Sequence, residues 1–253
     1  KVQKGHVEFR DVCFRYYKDH EEWVLDHLNF DVQPGEVLGI IGSTGSGKTT
    51  LVQLIPRLYD ADEGEVLVDG VNVRMRKLSQ LRKNIGMATQ DVLLYSDTID
   101  GNIAYGDSSM PEEDVKHYAK LAAADGFVSK MPEGYETLIG ERGVGLSGGQ
   151  KQRISLARAL AIKPAVLILD DTTSAVDMET EKHIQESLRT LDFPCTKIII
   201  AQRISSTKDA DKIIILEDGK IKEMGTHEQL LAQKGYYYDV FRLQNEGFGK
   251  GAE

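Results

Sequence analysis

One short glycine-rich segment restricts the possible folds of this chain more than any other part of its sequence. Residues 42–49, GSTGSGKT, match the pattern GxxxxGK[ST] and directly follow the apolar run Val37–Ile41. Glycines let backbone N–H groups curl around phosphate oxygens, and the helix that follows presents its positive end. Lys48 can then reach the β- and γ-phosphates, and the Thr49 hydroxyl can bind Mg²⁺. The pattern predicts a nucleotide site rather than an ordinary glycine-rich turn.

The apolar residues elsewhere follow two patterns. Residues 7–16 and 28–32 alternate apolar and polar side chains, with a one-residue slip at Asp11, as half-buried antiparallel strands do. Three later runs are short, nearly continuous and rich in β-branched residues or leucine: Val166–Leu169, Lys197–Ala201 and Lys212–Leu216. Strands covered by helices on both faces have this composition. We therefore predict an α/β fold with a mostly parallel core sheet and an N-terminal antiparallel β subdomain.

Helical patterns lie between these strands. One helix is predicted from Thr49 to about Leu58, and another from Ser147 until Pro164 ends it. Residues 91–162 contain almost nothing typical of strands, so we interpret them as a helical insertion. The predicted organisation is a single domain over residues 1–246, with a β subdomain and core (1–90 and 163–246), a helical subdomain (91–162) and a flexible tail (247–253).

Charge and hydropathy argue against a general attraction to nucleic acid and against a membrane span within this chain. The chain has 31 basic and 40 acidic residues, a net charge of −9, which gives no general attraction to nucleic acid. Its longest uninterrupted apolar runs are far shorter than the ~18 residues that suggest a membrane span. Because the sequence begins at Lys1 rather than Met, we expect it to be part of a longer chain.

Two further motifs carry chemistry. Asp170 follows the strand Ala165–Leu169, and a carboxylate there faces the crevice where such folds bind ligands; taken alone, it could equally cap the next turn. Residues 146–150, LSGGQ, open a helix with a serine cap and two glycines, so its N–H groups can bind an anion. A second phosphate cradle is redundant within one molecule. We therefore expect it to serve a nucleotide held by another subunit.

With these motifs together, the chain resembles the nucleotide-binding domain of an ABC transporter over about residues 6–245. The resemblance implies a P-loop NTPase fold with a RecA-like core, ATP and Mg²⁺ as cofactors, and a second such domain packed head to tail. It implies that Thr49, Gln90 and Asp170 hold Mg²⁺. The residues that it assigns to the nucleotide are Tyr16, Ser43, Thr44, Gly45, Ser46, Gly47, Lys48, Thr49, Thr50, Gln90, Ser147, Gly149, Gln150 and Asp177. A tyrosine in the core of a strand is the alternative for Tyr16.

Three segments resemble the exporter branch of this family: Gln90–Ile103, Leu138–Gly143 and Gly225–Leu231. They imply a multidrug, peptide or lipid exporter rather than an importer. Its transmembrane domains would lie on the same full-length chain, which would place this domain, itself soluble, at the cytoplasmic face of the cell membrane.

Two positions depart from the family pattern, and both concern hydrolysis. Asp171 stands where the family has the glutamate that polarises the attacking water, and Gln202 stands where it has histidine. Aspartate is shorter by one methylene, and misplacement by about 1 Å can slow a reaction ~10²-fold. Glutamine brings no positive charge to the transition state. The catalytic residues would be Lys48, Asp171 and Gln202.

The paired change resembles the degenerate half of a heterodimeric exporter, in which one site hydrolyses ATP slowly while the intact LSGGQ completes the partner's site. Three alternatives remain: a homodimeric exporter domain with a tolerant site, a non-transport ABC ATPase, and a regulatory subunit that only binds ATP.

Overall fold

The computed structural model describes residues 4–140 and 145–249. The strands in chain order are β1 (Val7–Phe14), β2 (Leu25–Val32), β3 (Val37–Gly42), β4 (Glu63–Val68), β5 (Val71–Asn72), β6 (Ile85–Ala88), β7 (Asp97–Thr98), β8 (Leu138–Ile139), β9 (Val166–Asp170), β10 (Thr196–Ile200), β11 (Lys212–Glu217) and β12 (Lys220–Gly225). The helices are α1 (Lys48–Gln53), α2 (Leu78–Lys83), α3 (Ile99–Ile103), α4 (Glu112–Leu121), α5 (Asp125–Val128), α6 (Gly148–Ala161), α7 (Met178–Arg189), α8 (His227–Gln233) and α9 (Tyr236–Gly249). Short 3₁₀ turns lie at Val73–Met75, Gly134–Glu136 and Ile204–Ser206.

The chain divides into two compact units, and residues 1–82 with 196–253 form the first. In this unit β1 pairs antiparallel with β2 and β4, and β5 extends that sheet. Strand β3 pairs in parallel with both β10 and β11, and β12 pairs antiparallel with β11. The predicted combination of an antiparallel N-terminal sheet and a mostly parallel core is confirmed.

The second unit, residues 83–195, contains the parallel pair β6–β9 and the helices α3 to α7. The predicted helical segment 91–162 holds one small strand pair, β7 with β8, of two residues each. The unit is wider than the predicted helical subdomain because α6 packs on β6 and α4 packs on α7. These contacts attach strands and a later helix to the helical segment.

Two element ends differ from the predicted ones. Helix α1 stops at Gln53 rather than near Leu58, since Pro56 has no N–H to donate and disfavours a helical residue before it. Helix α9 continues to Gly249, three residues into the segment predicted to be a tail. The slip predicted at Asp11 is present as a break in the β1–β2 register between Phe9 and Val12, with Asp11 at φ 52°.

The helices of the described residues include none that is both long enough and apolar enough to cross a membrane. The core of the first unit instead surrounds β3, where Leu38 and Ile40 are fully buried. A second apolar cluster joins the end of β3 to α8 and α9 through Ile41, Ile213, Leu230 and Tyr237. The strand that leads into the glycine-rich loop is therefore fixed on both sides.

Gly64 and Gly70 have the same φ but different surroundings, so substituting each distinguishes the cost of backbone strain from the cost of steric overlap. Gly64 and Gly70 both have φ +77°, but a Cβ on Gly64 would overlap the carbonyl oxygens of Arg10 and Asp11, whereas nothing lies within 4 Å at Gly70. We expect Gly70→Ala to lower the free energy of unfolding by about 1–2 kcal/mol. Gly64→Ala should lower it by roughly 1–3 kcal/mol more. Urea denaturation of both variants measures the difference, and equal losses would contradict the overlap.

Candidate functional site

The glycine-rich loop in the first unit connects β3 to α1. Gly47 precedes the helix in the left-handed region at φ 101°, and no side chain caps the first turn of α1. The first N–H groups of α1 therefore have no side-chain cap to satisfy them. The ammonium of Lys48 donates to the Gly42 carbonyl at 2.6 Å, so its side chain folds back along the loop.

One buried polar atom beside this loop lacks a hydrogen-bond partner within the described part of the chain. The Ser46 hydroxyl is buried and has no hydrogen-bond partner, and a buried polar group without one is costly unless a ligand or water satisfies it. A Cβ on Gly42 would overlap the Leu216 carbonyl oxygen and lie 2.6 Å from the Ser46 hydroxyl oxygen. Close packing thus requires glycine at Gly42, while Gly45 needs it only for its φ of +79°.

Tyr16 lies just beyond the end of β1 and is 41% exposed, so it is not a core strand tyrosine. Its ring stands edge-on to Phe14 and to Tyr59, with centroid distances of 4.9 and 5.1 Å. Its hydroxyl and the Thr50 hydroxyl are 2.6 Å apart, which connects the ring to α1. The structure therefore places an exposed aromatic side chain beside the helix that follows the glycine-rich loop.

Gln202 follows β10 at the same edge of the sheet as the glycine-rich loop. Strand β10 pairs with β3 so that Ile200 is opposite Ile40, and Ala201 N–H donates to the Ile40 carbonyl at 3.3 Å. Parallel strands end at one edge of a sheet, which brings Gln202 to the edge where the loop begins. Its side chain is exposed.

The remaining predicted site residues lie in the second unit. Asp170 is the last residue of β9 and its side chain is buried, while Asp171 follows at φ 50° in the left-handed region. Gln90 lines a groove of about 630 Å³ that also borders Gly148, Gln152 and Ala175. The second unit therefore brings the Gln90 segment, the start of α6 and the Ser174–Ala175 segment together.

The N-terminus of α6 is capped by side chains of its own first turn. Ser147 Oγ accepts from Gln150 N–H at 3.1 Å, and Gln150 Oε1 accepts from Ser147 N–H at 3.0 Å. This reciprocal capping box uses one oxygen of each side chain as an acceptor. Phosphate oxygens also accept, so the Ser147 hydroxyl and the Gln150 amide NH₂ could donate to a nucleotide while the capping box stays intact.

Gly149 and Asp177 also have structural roles. A Cβ on Gly149 would lie 2.6 Å from the Ala175 carbonyl oxygen, so only glycine lets this segment approach α6. Asp177 caps α7 by accepting from Thr180 N–H at 2.7 Å, and this hydrogen bond lowers the pKa of the Asp177 carboxyl. Contact of either residue with a nucleotide stays a prediction.

Gln152 is a residue that the sequence reasoning missed. It is buried on α6, its amide donates to Ser174 Oγ at 3.1 Å, and its oxygen accepts from Ala175 N–H at 3.1 Å. Its spacing could have shown this, because residue 152 lies three positions after Gly149 and four before Leu156, on the buried face of the helix. Gln152 fixes the segment that follows Asp171.

The segments that resemble exporters lie partly within the described residues. Tyr95 and Tyr105 stack at a centroid distance of 4.3 Å, and the guanidinium of Arg158 lies 5.3 Å from the Tyr95 ring. Leu138 in β8 is strongly exposed. Residues 141–143 of the segment Leu138–Gly143 lie outside the described part of the chain.

Comparison with known proteins places these features in one family. Residues 25–174 match the family model described as ABC transporter. The chain is 47% identical over 250 residues to an ATP-dependent lipid A-core flippase of Pseudomonas fluorescens, covering 98% of this chain and 41% of that protein. It is 43% identical over 245 residues to a protein of Staphylococcus aureus provisionally named a multidrug export ATP-binding/permease protein, covering 97% and 42%.

A solved structure, that of a bacterial Atm1-family ABC exporter with ATP bound, superposes with a TM-score of 0.92 at 38% identity. It covers 96% of this chain and 43% of that one. The chain therefore spans less than half the length of the proteins that it matches.

The hydrogen bonds of Gln152 allow a stability test. Gln152→Leu keeps the side-chain volume but removes the hydrogen bonds to Asp171, Ser174 and Ala175, so we expect the free energy of unfolding to fall by about 1–2 kcal/mol. Gln233→Leu, at an exposed position of α8, is the control and should change it by less than about 0.5 kcal/mol. Chemical denaturation measures both, and a Gln152→Leu variant as stable as the control would disprove this role.

Proposed function

The chain belongs to the ABC transporter family, and from that premise we propose that it is the ATP-hydrolysing domain of an exporter. The observation that supports the proposal most is the glycine-rich loop between β3 and α1, with its buried, unpartnered Ser46 hydroxyl and the adjacent Lys48. Two relatives named for flipping or export match 97–98% of this chain, including its exporter-like segments, and they support the direction of transport.

In this proposal the triphosphate of ATP lies along the N–H groups of residues 43–49, and Lys48 leaves Gly42 to bind the β- and γ-phosphates. Thr49, Gln90 and Asp170 offer oxygen donors, the ligand type that Mg²⁺ prefers. When bound, Mg²⁺ neutralises charge on the phosphates. Tyr16 would stack on the adenine, since its ring is exposed beside α1.

We propose a second nucleotide-binding domain as the partner, packed head to tail. The start of α6 would then face the partner's ATP, and the Ser147 hydroxyl and the Gln150 amide NH₂ would donate to the γ-phosphate while their oxygens keep capping the helix. Gly149 would bind through its backbone N–H. It has no side chain because a Cβ there would overlap the Ala175 carbonyl oxygen. Asp177 would cross the dimer interface.

Transport would be driven through transmembrane domains on the same full-length chain, with this domain at the cytoplasmic face of the membrane. Tyr95 lies on the exporter-like segment Gln90–Ile103 and stacks on Tyr105, which follows it. Both rings are partly exposed, so they offer an apolar surface to such a domain. The transported compound would be bound by the membrane domains.

The chain's own ATP site is proposed to be slow and its partner non-identical. Two observations support this: the shorter carboxylate at Asp171 and the missing imidazole at Gln202. Asp171 also has its backbone in the left-handed region, which aspartate occupies more readily than most side chains. The competing homodimeric form predicts that the full-length chain hydrolyses ATP rapidly without a second gene product.

Removal of the Lys48 ammonium tests ATP binding. We expect Lys48→Ala to weaken binding of a fluorescent ATP analogue at least about tenfold, because the ammonium is the main side-chain charge of this loop. Lys77→Ala, outside the loop, should bind the analogue like the wild type. Unchanged affinity in Lys48→Ala would contradict the proposed site.

Restoration of the family residues tests the slow site. We expect the double variant Asp171→Glu with Gln202→His to hydrolyse ATP roughly 10-fold to 100-fold faster than the wild type in single-turnover experiments. Each single variant is the control and should recover less than the double. If the wild-type protein already turns over as fast as the double variant, the site is not impaired.

A further inference from the structure

Helix α9 reaches the backbone on both sides of Arg203, directly after the sheet edge that carries Gln202. The Gln244 amide donates to the Gln202 carbonyl at 2.9 Å, and the Gln244 oxygen accepts from Ile204 N–H at 2.8 Å. One side chain thus satisfies a backbone acceptor and a backbone donor two residues apart. Both bonds bridge about 40 residues of sequence, with separations of 42 and 40.

The helix that carries Gln244 is itself firmly held. At its start, the Glu223 carboxylate of β12 accepts from Tyr236 N–H at 2.9 Å and Tyr237 N–H at 3.2 Å. Negative charge at a helix N-terminus is favourable. Tyr237 is fully buried, and its hydroxyl lies 2.6 Å from His227 Nδ1.

The same helix packs on the elements that bear the site. Val240 and Phe241 contact the apolar cluster that contains Ile41, the residue before the glycine-rich loop, and Ile204, the residue that Gln244 binds. Helix α9 therefore packs in one apolar cluster with the end of β3 and the turn after β10. A hydrogen bond from this helix fixes a loop in relation to the phosphate cradle.

We propose that Gln244 is a positioning residue that holds the Gln202–Ile204 backbone so that the Gln202 side chain points to the γ-phosphate. The inference rests on the proposed function, since it assigns Gln244 a part in ATP hydrolysis. Gln202 is exposed and follows its strand by two residues, so the strand alone does not fix it. The two bonds from Gln244 supply that constraint, and Gln244 acts through Gln202 without touching the nucleotide.

Hydrogen exchange tests the two hydrogen bonds of Gln244 independently of ATPase activity. In Gln244→Leu, Ile204 N–H loses its acceptor, so its exchange in the full-length protein should speed up at least about tenfold, as for a local opening. In Gln244→Glu an oxygen still accepts from Ile204, so protection should persist. Asn245→Ala, on the adjacent exposed position, is the control and should exchange like the wild type. Unchanged exchange at Ile204 in Gln244→Leu would overturn the proposal.

Steady-state ATPase kinetics test whether Gln244 contributes to ATP hydrolysis. We expect Gln244→Leu to lower kcat for ATP about tenfold with little change in KM, since it misplaces a group used in the transition state. Asn245→Ala should retain the wild-type kcat, and Gln244→Glu should fall between the two. Thermal unfolding of each variant gives the structural contribution.

A double-mutant cycle with Gln202→Ala decides whether Gln244 acts through Gln202. If it does, Gln244→Leu lowers kcat no further in that background. Losses that multiply, or a Gln202→Ala variant with normal kcat, would overturn the positioning role. Failure of the proposed function would be detected by a different measurement, as undiminished nucleotide binding in Lys48→Ala. In that case hydrogen exchange at Ile204 would still show whether Gln244 holds the Gln202–Ile204 backbone.

Discussion

The parallel pairing of β3 with β10 is the constraint on which the proposed nucleotide site of the first unit depends. Its register sets Ile40 opposite Ile200, so the glycine-rich loop and Gln202 leave the sheet at the same edge. Both side chains are buried, and a slip by one residue would turn them to the other face. The apolar core thereby fixes the relative positions of a loop and a polar residue that lie some 150 residues apart in sequence.

Several residues that resemble nucleotide contacts already have partners within their own unit. Ser147 and Gln150 cap a helix together, Asp177 caps another, and Gly149 admits the Ala175 carbonyl. These interactions hold in place the segments of the second unit that we propose to face a ligand. Preorganisation of this kind reduces the entropy lost on binding.

In the proposed function, the rate of ATP hydrolysis depends on where the side chains of Asp171 and Gln202 lie. Gln152 holds the segment after Asp171, and Gln244 holds the backbone around Gln202. Both are neutral amides that donate and accept at once, which suits backbone segments that expose a carbonyl and an N–H close together. The two departures from the family pattern therefore lie where amide side chains from neighbouring helices set the backbone.

The sequence by itself determined the strand–loop–helix order at residues 42–49, the two kinds of strand, the bulge at Asp11 and the capped start of α6, because each follows from local pattern and glycine or cap chemistry. It also indicated the family through motifs of fixed spacing. It did not determine the limits of the two units, the short β7–β8 pair, or the parts played by Gln152 and Gln244. Those depend on which segments distant in sequence pack together, and only the tertiary structure, through strand register and helix packing, decided that.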